Sequence, residues 1–135
     1  MTLVDRMQEL LEAERAGVKC LSAMADGADP GPKKELYARF RNDEGTFCAG
    51  LYRLLKAHGA DPTDKTGAFA DKVIALPTEI EKVALLIKGQ AWVVRKIDEI
   101  PQGDTNDGEK AFFINMRAVH VANIEECQRL VPAGK

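Results

Sequence analysis

Apolar residues recur every three or four positions over four long stretches of the chain, a pattern that predicts four amphipathic α-helices. Capping signals agree, because Thr78 and Asn106 each stand three residues before a glutamate, the spacing of a capping box. His58 suits the last turn of the second helix, where a basic side chain meets the negative end of the helix dipole. The predicted helices run from Leu3 to Ala25, Pro32 to His58, Glu79 to Glu99 and Asp107 to Leu130.

The connections between these helices differ in length, and their lengths predict the arrangement. Short links after the first and third helices make each of them antiparallel to the helix that follows. Residues 59–77 form a long connection in which Phe69, Val73 and Leu76 recur at helical spacing, which predicts a short crossover helix. We therefore expect an all-α fold: one domain over residues 1–135, built as an antiparallel four-helix bundle with a long crossover between helices two and three.

The third helix carries more apolar surface than one buried stripe requires. Leu85, Ala91 and Trp92 lie outside the main stripe, so the helix needs apolar neighbours on two sides. The crossover helix or a second subunit would cover the additional side. We expect a homodimer formed through the third helix or the crossover.

Charge and composition limit the classes of partner. The net charge is −2 and the chain has no cluster of Lys or Arg, so neither nucleic acid nor an anionic membrane is expected as the main partner. The N-terminus lacks the apolar segment of a signal peptide, and no run approaches the roughly 18 apolar residues of a membrane span. Three cysteines without a CxxC spacing predict reduced thiols in a cytoplasmic protein.

Polar side chains interrupt the apolar stripe near the middle of each long helix. A carboxylate is costly to bury unless another group pairs with it, so each of these residues needs a partner. The middles of the helices in a bundle lie at one height whichever way each helix runs. The sequence therefore predicts a polar layer halfway along the core, made by Glu14, Glu44, Gln90, Arg117 and His120.

Two segments are similar to those of a known group of proteins: residues 10–17, Leu-Leu-Glu-Ala-Glu-Arg-Ala-Gly, and residues 89–95, Gly-Gln-Ala-Trp-Val-Val-Arg. Together with the helix pattern, they make the chain resemble the ferritin-like superfamily, and within it a small bacterial branch with a degenerate di-metal site. The resemblance implies a four-helix bundle with a long crossover between its second and third helices. It also implies a site where carboxylates and histidines of all four helices hold two metal ions.

Three positions keep the type of ligand that the superfamily uses. There, two helices each supply one Glu, and the other two each supply a Glu-x-x-His motif. Glu14 matches the glutamate of the first helix, Glu44 the glutamate of the second-helix motif, and His120 the histidine of the fourth.

The other three positions depart from this pattern. Phe47 stands where a His is expected, and Gln90 and Arg117 stand where Glu is expected. Two carboxylates and one guanidinium would leave two divalent ions poorly compensated in a core of low dielectric constant. Our hypothesis is that Arg117 pairs with Glu44 or Glu14 and occupies the space that metal ions would fill.

Two functions remain open on the sequence. In the first, the polar layer holds no metal, and the bundle acts through interaction or ligand binding. In the alternative, Glu14, Glu44 and His120 bind one Fe or Mn ion in an oxidoreductase that handles oxygen or peroxide. The alternative requires Arg117 to turn away from the core. The protein is an enzyme only under this alternative.

Overall fold

The computed structural model describes residues 1–131, and the last four residues of the predicted domain lie outside this range. The described part is helical and contains no strand, which confirms the all-α class. No helix in it has the length and apolar character needed to cross a membrane. The bounds lie within two residues of the predicted ones: α1 Leu3–Gly27, α2 Pro32–Ala57, α3 Phe69–Ala75, α4 Glu79–Asp98 and α5 Asp107–Gln128.

Reciprocal caps explain where two of the long helices begin. The Thr2 side chain accepts a hydrogen bond from the backbone N–H of Asp5, whose carboxylate accepts one from the backbone N–H of Thr2. Asn106 and Glu109 form the same pair at the start of α5, with distances of 2.8 and 2.9 Å. Each cap satisfies backbone donors that have no partner inside the helix.

Two apolar clusters give the direction of each helix. One contains the end of α1, the starts of α2 and α4, and the end of α5. The other contains the start of α1, the ends of α2 and α4, and the start of α5. Consequently α1 is antiparallel to α2, α4 is antiparallel to α5, and α4 runs in the same direction as α2. Representative members are Leu21, Tyr37, Leu86 and Cys127 in the first cluster, and Met7, Leu51, Val93 and Met116 in the second.

The crossover between α2 and α4 is held against α1 before it forms α3. The Gln8 side chain donates to the carbonyl of Asp61 and accepts from the N–H of Thr63, at 2.9 and 2.8 Å. The Phe69 ring at the start of α3 lies directly over Gly89 of α4, where a Cβ atom would overlap the ring. Thus α3 covers part of the wide apolar face of α4. The expected homodimer stays a prediction.

Candidate metal centre

Glu14 of α1, Glu44 of α2 and His120 of α5 meet in the core between the two apolar clusters. One ligand atom from each lies within 4.8 Å of the others. His120 Nε2 is 2.8 Å from Glu14 Oε1 and 3.8 Å from Glu44 Oε1. Glu14 and His120 are 0% exposed and Glu44 is 4% exposed, so all three have been removed from water.

The helical period explains why these side chains reach one level. On α1, Glu14 follows Leu11 of one apolar cluster and precedes Ala16 of the other. On α5, His120 lies between Met116 and Cys127, which also belong to different clusters. Each polar side chain therefore shares the buried face of its helix with apolar neighbours, at the height where one cluster gives way to the other.

Gly17, one turn after Glu14, allows Glu44 to lie against α1. A Cβ atom at Gly17 would overlap the carboxylate of Glu44, and the closest atom would be Oε2. Any other residue at this position would displace the carboxylate or separate the helices. The segment 10–17 thus supplies both a ligand atom and the space for the ligand of the neighbouring helix.

The hydrogen bonding of His120 leaves Nε2 free to bind a cation. Its Nδ1 lies 2.8 Å from the backbone carbonyl oxygen of Met116, which only accepts, so Nδ1 carries the proton. Burial lowers the pKa of His120, which favours the neutral ring. The Nε2 lone pair therefore faces the two carboxylates, the arrangement found when a histidine ligand is oriented by a backbone carbonyl.

The two carboxylates lack a basic side chain to neutralise them. Among residues 1–131, the sole ion-pairing contacts of Glu14 and Glu44 are those with the buried ring of His120. Burial raises the pKa of Glu14 to about 8. Burial, together with the neighbouring charge of Glu14, raises the pKa of Glu44 well above its usual value. Near neutral pH, the pair therefore binds either a proton or another cation.

Among residues 1–131, no N–H or hydroxyl group donates a hydrogen bond to several buried atoms of the site. They are both carboxylate oxygens of Glu14, Oε2 of Glu44, Oε1 of Gln90 and Nε2 of His120. Ligand atoms bound about 2.0–2.2 Å from a common ion lie roughly 2.8–4.4 Å apart, and both His120–carboxylate distances fall within that range. Buried polar atoms are rarely left without partners, so these atoms call for a proton shared between the two carboxyl groups or for a bound cation.

The donor set fits one divalent ion better than two. Two carboxylates and a neutral imidazole carry a charge of −2, which one divalent ion balances. The ring of Phe47 lies 5.5 Å from the ring of His120, so a hydrocarbon side chain borders the candidate ligands on this side.

Comparison with known proteins places the chain in a protein family. A family model described as a domain of unknown function, DUF6306, matches residues 2–129. The chain belongs to the DUF6306 family. No curated protein and no solved structure is significantly similar to it. Because the match spans all five helices, the three candidate ligands lie within the DUF6306 domain.

The structure corrects the prediction for Arg117. In this DUF6306 chain, Arg117 points to the surface and makes a bidentate ion pair with Asp98 of α4, at 2.7 and 3.2 Å. The hypothesis that it pairs with Glu44 or Glu14 is wrong. Arg117 lies at the edge of the buried stripe of α5, where a long side chain can reach water and avoid the cost of burying a guanidinium. The polar layer therefore contains Glu14, Glu44, Gln90 and His120.

Gln90 of α4 lies beside the candidate ligands. It is 2% exposed, and its Nε2 donates to Glu44 Oε1 at 3.4 Å. The other amide atom, Gln90 Oε1, has no hydrogen-bond partner in the part of the chain that the structure describes. The amide keeps the place predicted for it in the layer and orients a carboxylate.

Asn123 of α5 was absent from the predicted layer and supports it from the side. It is 4% exposed, and its Nδ2 donates to Asp43, the neighbour of Glu44, at 3.3 Å. The contact ties α5 to α2 close to His120. The sequence spacing indicates this position, because Asn123 lies three residues after His120 and so shares its face of α5.

A cavity of about 530 Å³ extends to the site between α1, α4 and the crossover. Glu44 and Gln90 line it, together with Gly17 and Phe69. Glu44 and Gln90 are thus members of the polar layer that border the cavity, which could not be predicted from the sequence.

Proposed function

We propose that this protein binds one divalent transition-metal ion through Glu14, Glu44 and His120 and uses it in redox chemistry on oxygen or peroxide. One observation carries the proposal: three buried side chains from three helices bring one ligand atom each within 4.8 Å of one another, and among residues 1–131 neither Glu14 Oε1 nor His120 Nε2 has a hydrogen-bond partner. The position of Arg117 supports it as well, because the cation expected to replace the metal pairs with Asp98 instead.

Iron or manganese fits the donor set best. The set contains carboxylate oxygens and one imidazole nitrogen, and it has no thiolate, which zinc and iron–sulfur sites commonly use. Three protein ligands leave further coordination positions for an exogenous molecule. The bound ion would supply one-electron chemistry.

The protein residues bind, orient and shield the ion. Glu14 and Glu44 supply the negative charge, and the carbonyl of Met116 holds the tautomer of His120. Phe47 excludes water on the side of His120, while the cavity beside Glu44 leaves the other side accessible.

The arrangement of helices supports a ferritin-like bundle, which we propose as the finer fold. The second long helix and α4 run in the same direction, as the crossover of that fold requires. The candidate ligands lie near the middles of α1, α2 and α5.

Metal analysis tests the proposed function. We expect protein purified without chelators to contain iron or manganese at close to one ion per chain. Glu44→Gln keeps the shape of the side chain and removes its charge, so metal content should fall about tenfold or more. Glu35→Gln, on the exposed surface of the same helix, should retain the metal of the wild type. A wild-type protein that binds no added Fe²⁺ or Mn²⁺ would contradict the proposal.

A metal-free role in ligand binding is the second candidate, and the raised pKa values favour it specifically. A carboxyl pair that holds a proton near neutral pH can remain buried without an ion. This candidate predicts that apoprotein and protein incubated with metal have the same stability. Light scattering during gel filtration would test the expected homodimer separately.

A further inference from the structure

We propose that the outer face of α5 is the contact surface of a homodimer, in which two copies of this helix pack antiparallel about a two-fold axis at Ala118. The outer face consists of the apolar residues that point away from the bundle: Ala111, Ile114, Ala118, Val121 and Ala122. His120 lies on the opposite, buried side of α5, so the proposal is independent of the metal centre.

The outer face of α5 exposes more apolar surface than the other helices do. Four of its five residues are exposed, and Val121 is half-buried. Ile114 is 70% exposed, whereas the other large apolar side chains within the helices of residues 1–131 are at most 47% exposed. Ala111, Ile114, Ala118 and Val121 follow one another at alternating intervals of three and four residues, the period by which two packed helices share a seam. The helix therefore has an apolar side for its own bundle and a second one for a partner.

The charged side chains of α5 and its C-cap fall into two groups. Those that face the neighbouring helices are paired within the subunit: Glu109 with His58, Arg117 with Asp98 and Glu126 with Arg39. Those at the two ends of the outer face have no ion-pair partner within residues 1–131, and they are Asp107, Lys110, Glu125 and Arg129. The unpaired charges thus border the surface that the fold leaves uncovered.

The order of these charges matches a second copy of the same helix. Asp107 lies eleven residues before Ala118, and Arg129 lies eleven residues after it. In an antiparallel pair centred on Ala118, Asp107 therefore lies opposite Arg129 of the partner subunit, and the symmetry forms this pair twice. Lys110 comes close to the level of Glu125 of the partner subunit. A parallel pair would instead place each charge against its own copy, so the charges favour an antiparallel homodimer.

A groove beside Ile114 extends the contact toward α4. It has a volume of about 310 Å³, and Ile97, Ile100 and Phe113 line it. The antiparallel arrangement places the second half of the partner's helix, from Val121 onward, over this groove. Two helices of this length packed along one face bury roughly 1,200 Å² in total, near the lower limit for specific complexes, so we expect a dissociation constant in the micromolar range.

The apolar surface of α4 is better covered than that of α5. From the sequence we expected the dimer contact on α4 or the crossover. The Phe69 ring lies over Gly89, and Leu85, Ala91 and Trp92 of α4 are half-buried within the subunit. These neighbours leave less apolar surface for a second copy than the outer face of α5 offers.

Sedimentation equilibrium of the full chain, from about 5 to 200 μM, tests the dimer. We expect the wild type to associate reversibly into dimers. Ala118→Glu brings two carboxylates together at the two-fold axis and should weaken association by about a hundredfold or more. Ala49→Glu, the same change on the exposed face of α2, should associate like the wild type. A wild type that stays monomeric, or an Ala118→Glu protein that dimerises equally well, would overturn the proposal.

A fourth protein distinguishes the two helices on which the contact could lie. Ile80 is 43% exposed on α4, and Ile80→Glu should leave the dimer intact. If Ile80→Glu is monomeric while Ala118→Glu dimerises, the contact lies on α4 and the proposal is wrong.

Reversing the end charges tests the antiparallel register. Arg129→Glu places a carboxylate opposite Asp107 and should weaken association by about five- to tenfold, and Asp107→Arg should do the same. The double variant restores opposite charges, so its dissociation constant should return to within about threefold of the wild type. Damage to the subunit itself would instead accumulate in the double variant, and thermal unfolding of the same samples would record it. A double variant that associates more weakly than either single variant would refute the register.

Discussion

Two histidine–glutamate pairs with similar nitrogen–oxygen distances lie in different parts of the molecule. His120 Nε2 and Glu14 Oε1 are 2.8 Å apart in the middle of the core, and His58 Nε2 and Glu109 Oε2 are 2.6 Å apart where α2 ends and α5 begins. Glu14 and Glu109 are both buried, at 0% and 4% exposure. The burial of the carboxylate and the residue types therefore do not distinguish the two sites, although the His58 side chain is 36% exposed and that of His120 is 1% exposed.

The difference lies in the donors that each carboxylate receives. Burial raises the pKa of Glu109, but the hydrogen bond from the Asn106 backbone and the contact with His58 outweigh it, so the pKa is lowered overall. Among residues 1–131, no N–H group donates to Glu14, and burial raises its pKa to about 8 despite the opposing effect of a hydrogen bond with Glu44. A buried carboxylate that the protein satisfies is structural, whereas one that it leaves unsatisfied requires a proton, a metal ion or a ligand.

The largest expected effect comes from adding metal. Mn²⁺ at about a thousandfold excess over its dissociation constant should raise the free energy of unfolding by about 4 kcal/mol. His120→Ala removes a ligand atom and should abolish most of this gain, whereas His58→Ala should retain it. Urea unfolding of each protein with and without Mn²⁺ measures the difference. If both variants respond alike, the core pair is not a metal site.

The pH dependence of the metal-free protein should be the next largest effect. Between about pH 6.5 and 8, folded Glu14 keeps a proton that the unfolded chain has released, because its pKa rises from 4.5 to about 8. The folded state therefore binds more protons than the unfolded state, and stability falls as pH rises, by a few kcal/mol at most. His120, whose pKa burial lowers from 6.5, opposes this trend mainly below the window.

Urea titrations across this pH window compare two matched variants. Glu14→Gln should make the profile less steep and leave the part contributed by Glu44, because burial also raises the pKa of Glu44. Glu109→Gln should leave its slope unchanged, because the lowered pKa keeps Glu109 ionised throughout. A slope in Glu14→Gln as steep as that of the wild type would refute the assigned protonation.

Gly17→Ala should have an intermediate effect. The added methyl group overlaps the Glu44 carboxylate, so the variant should lose about 1–3 kcal/mol of stability and bind metal more weakly. Gly45→Ala on α2 is the matched control, because a Cβ there meets nothing within 4 Å and should stabilise the helix by about 0.5–1 kcal/mol. Thermal unfolding and metal content would be measured for both. A Gly17→Ala protein as stable and as metal-loaded as Gly45→Ala would contradict the close approach of Glu44 to α1.

The smallest expected effect is that of the surface pair. His58→Ala should cost about 0.5–1 kcal/mol at neutral pH, because the pair is partly exposed and Glu109 keeps its hydrogen bond with Asn106. Since the pKa of Glu109 is lowered, this contribution should be present above about pH 4.5 and disappear as pH falls below that value. A loss of several kcal/mol in urea unfolding would show that the pair carries more of the fold than its exposure suggests.

The helices and the height of the polar residues could be predicted from the sequence. Periodicity is a property of a single helix, and it places Glu14, Glu44 and His120 on buried faces without knowledge of the neighbouring helices. The helix starts at Thr78 and Asn106 were predictable for the same reason, because a cap involves residues only three positions apart.

Only the tertiary structure decided which neighbours these side chains meet. Arg117 lies at the edge of the buried stripe of α5, where the helical period is compatible with either a buried or an exposed side chain. The hydrogen bond with Asp98 on α4 holds it at the surface. The fit of Glu44 against Gly17 and the cavity behind Phe69 depend on how closely separate helices approach. Local periodicity determines the face of a residue, whereas the distance and charge of its partners depend on the packing of all five helices.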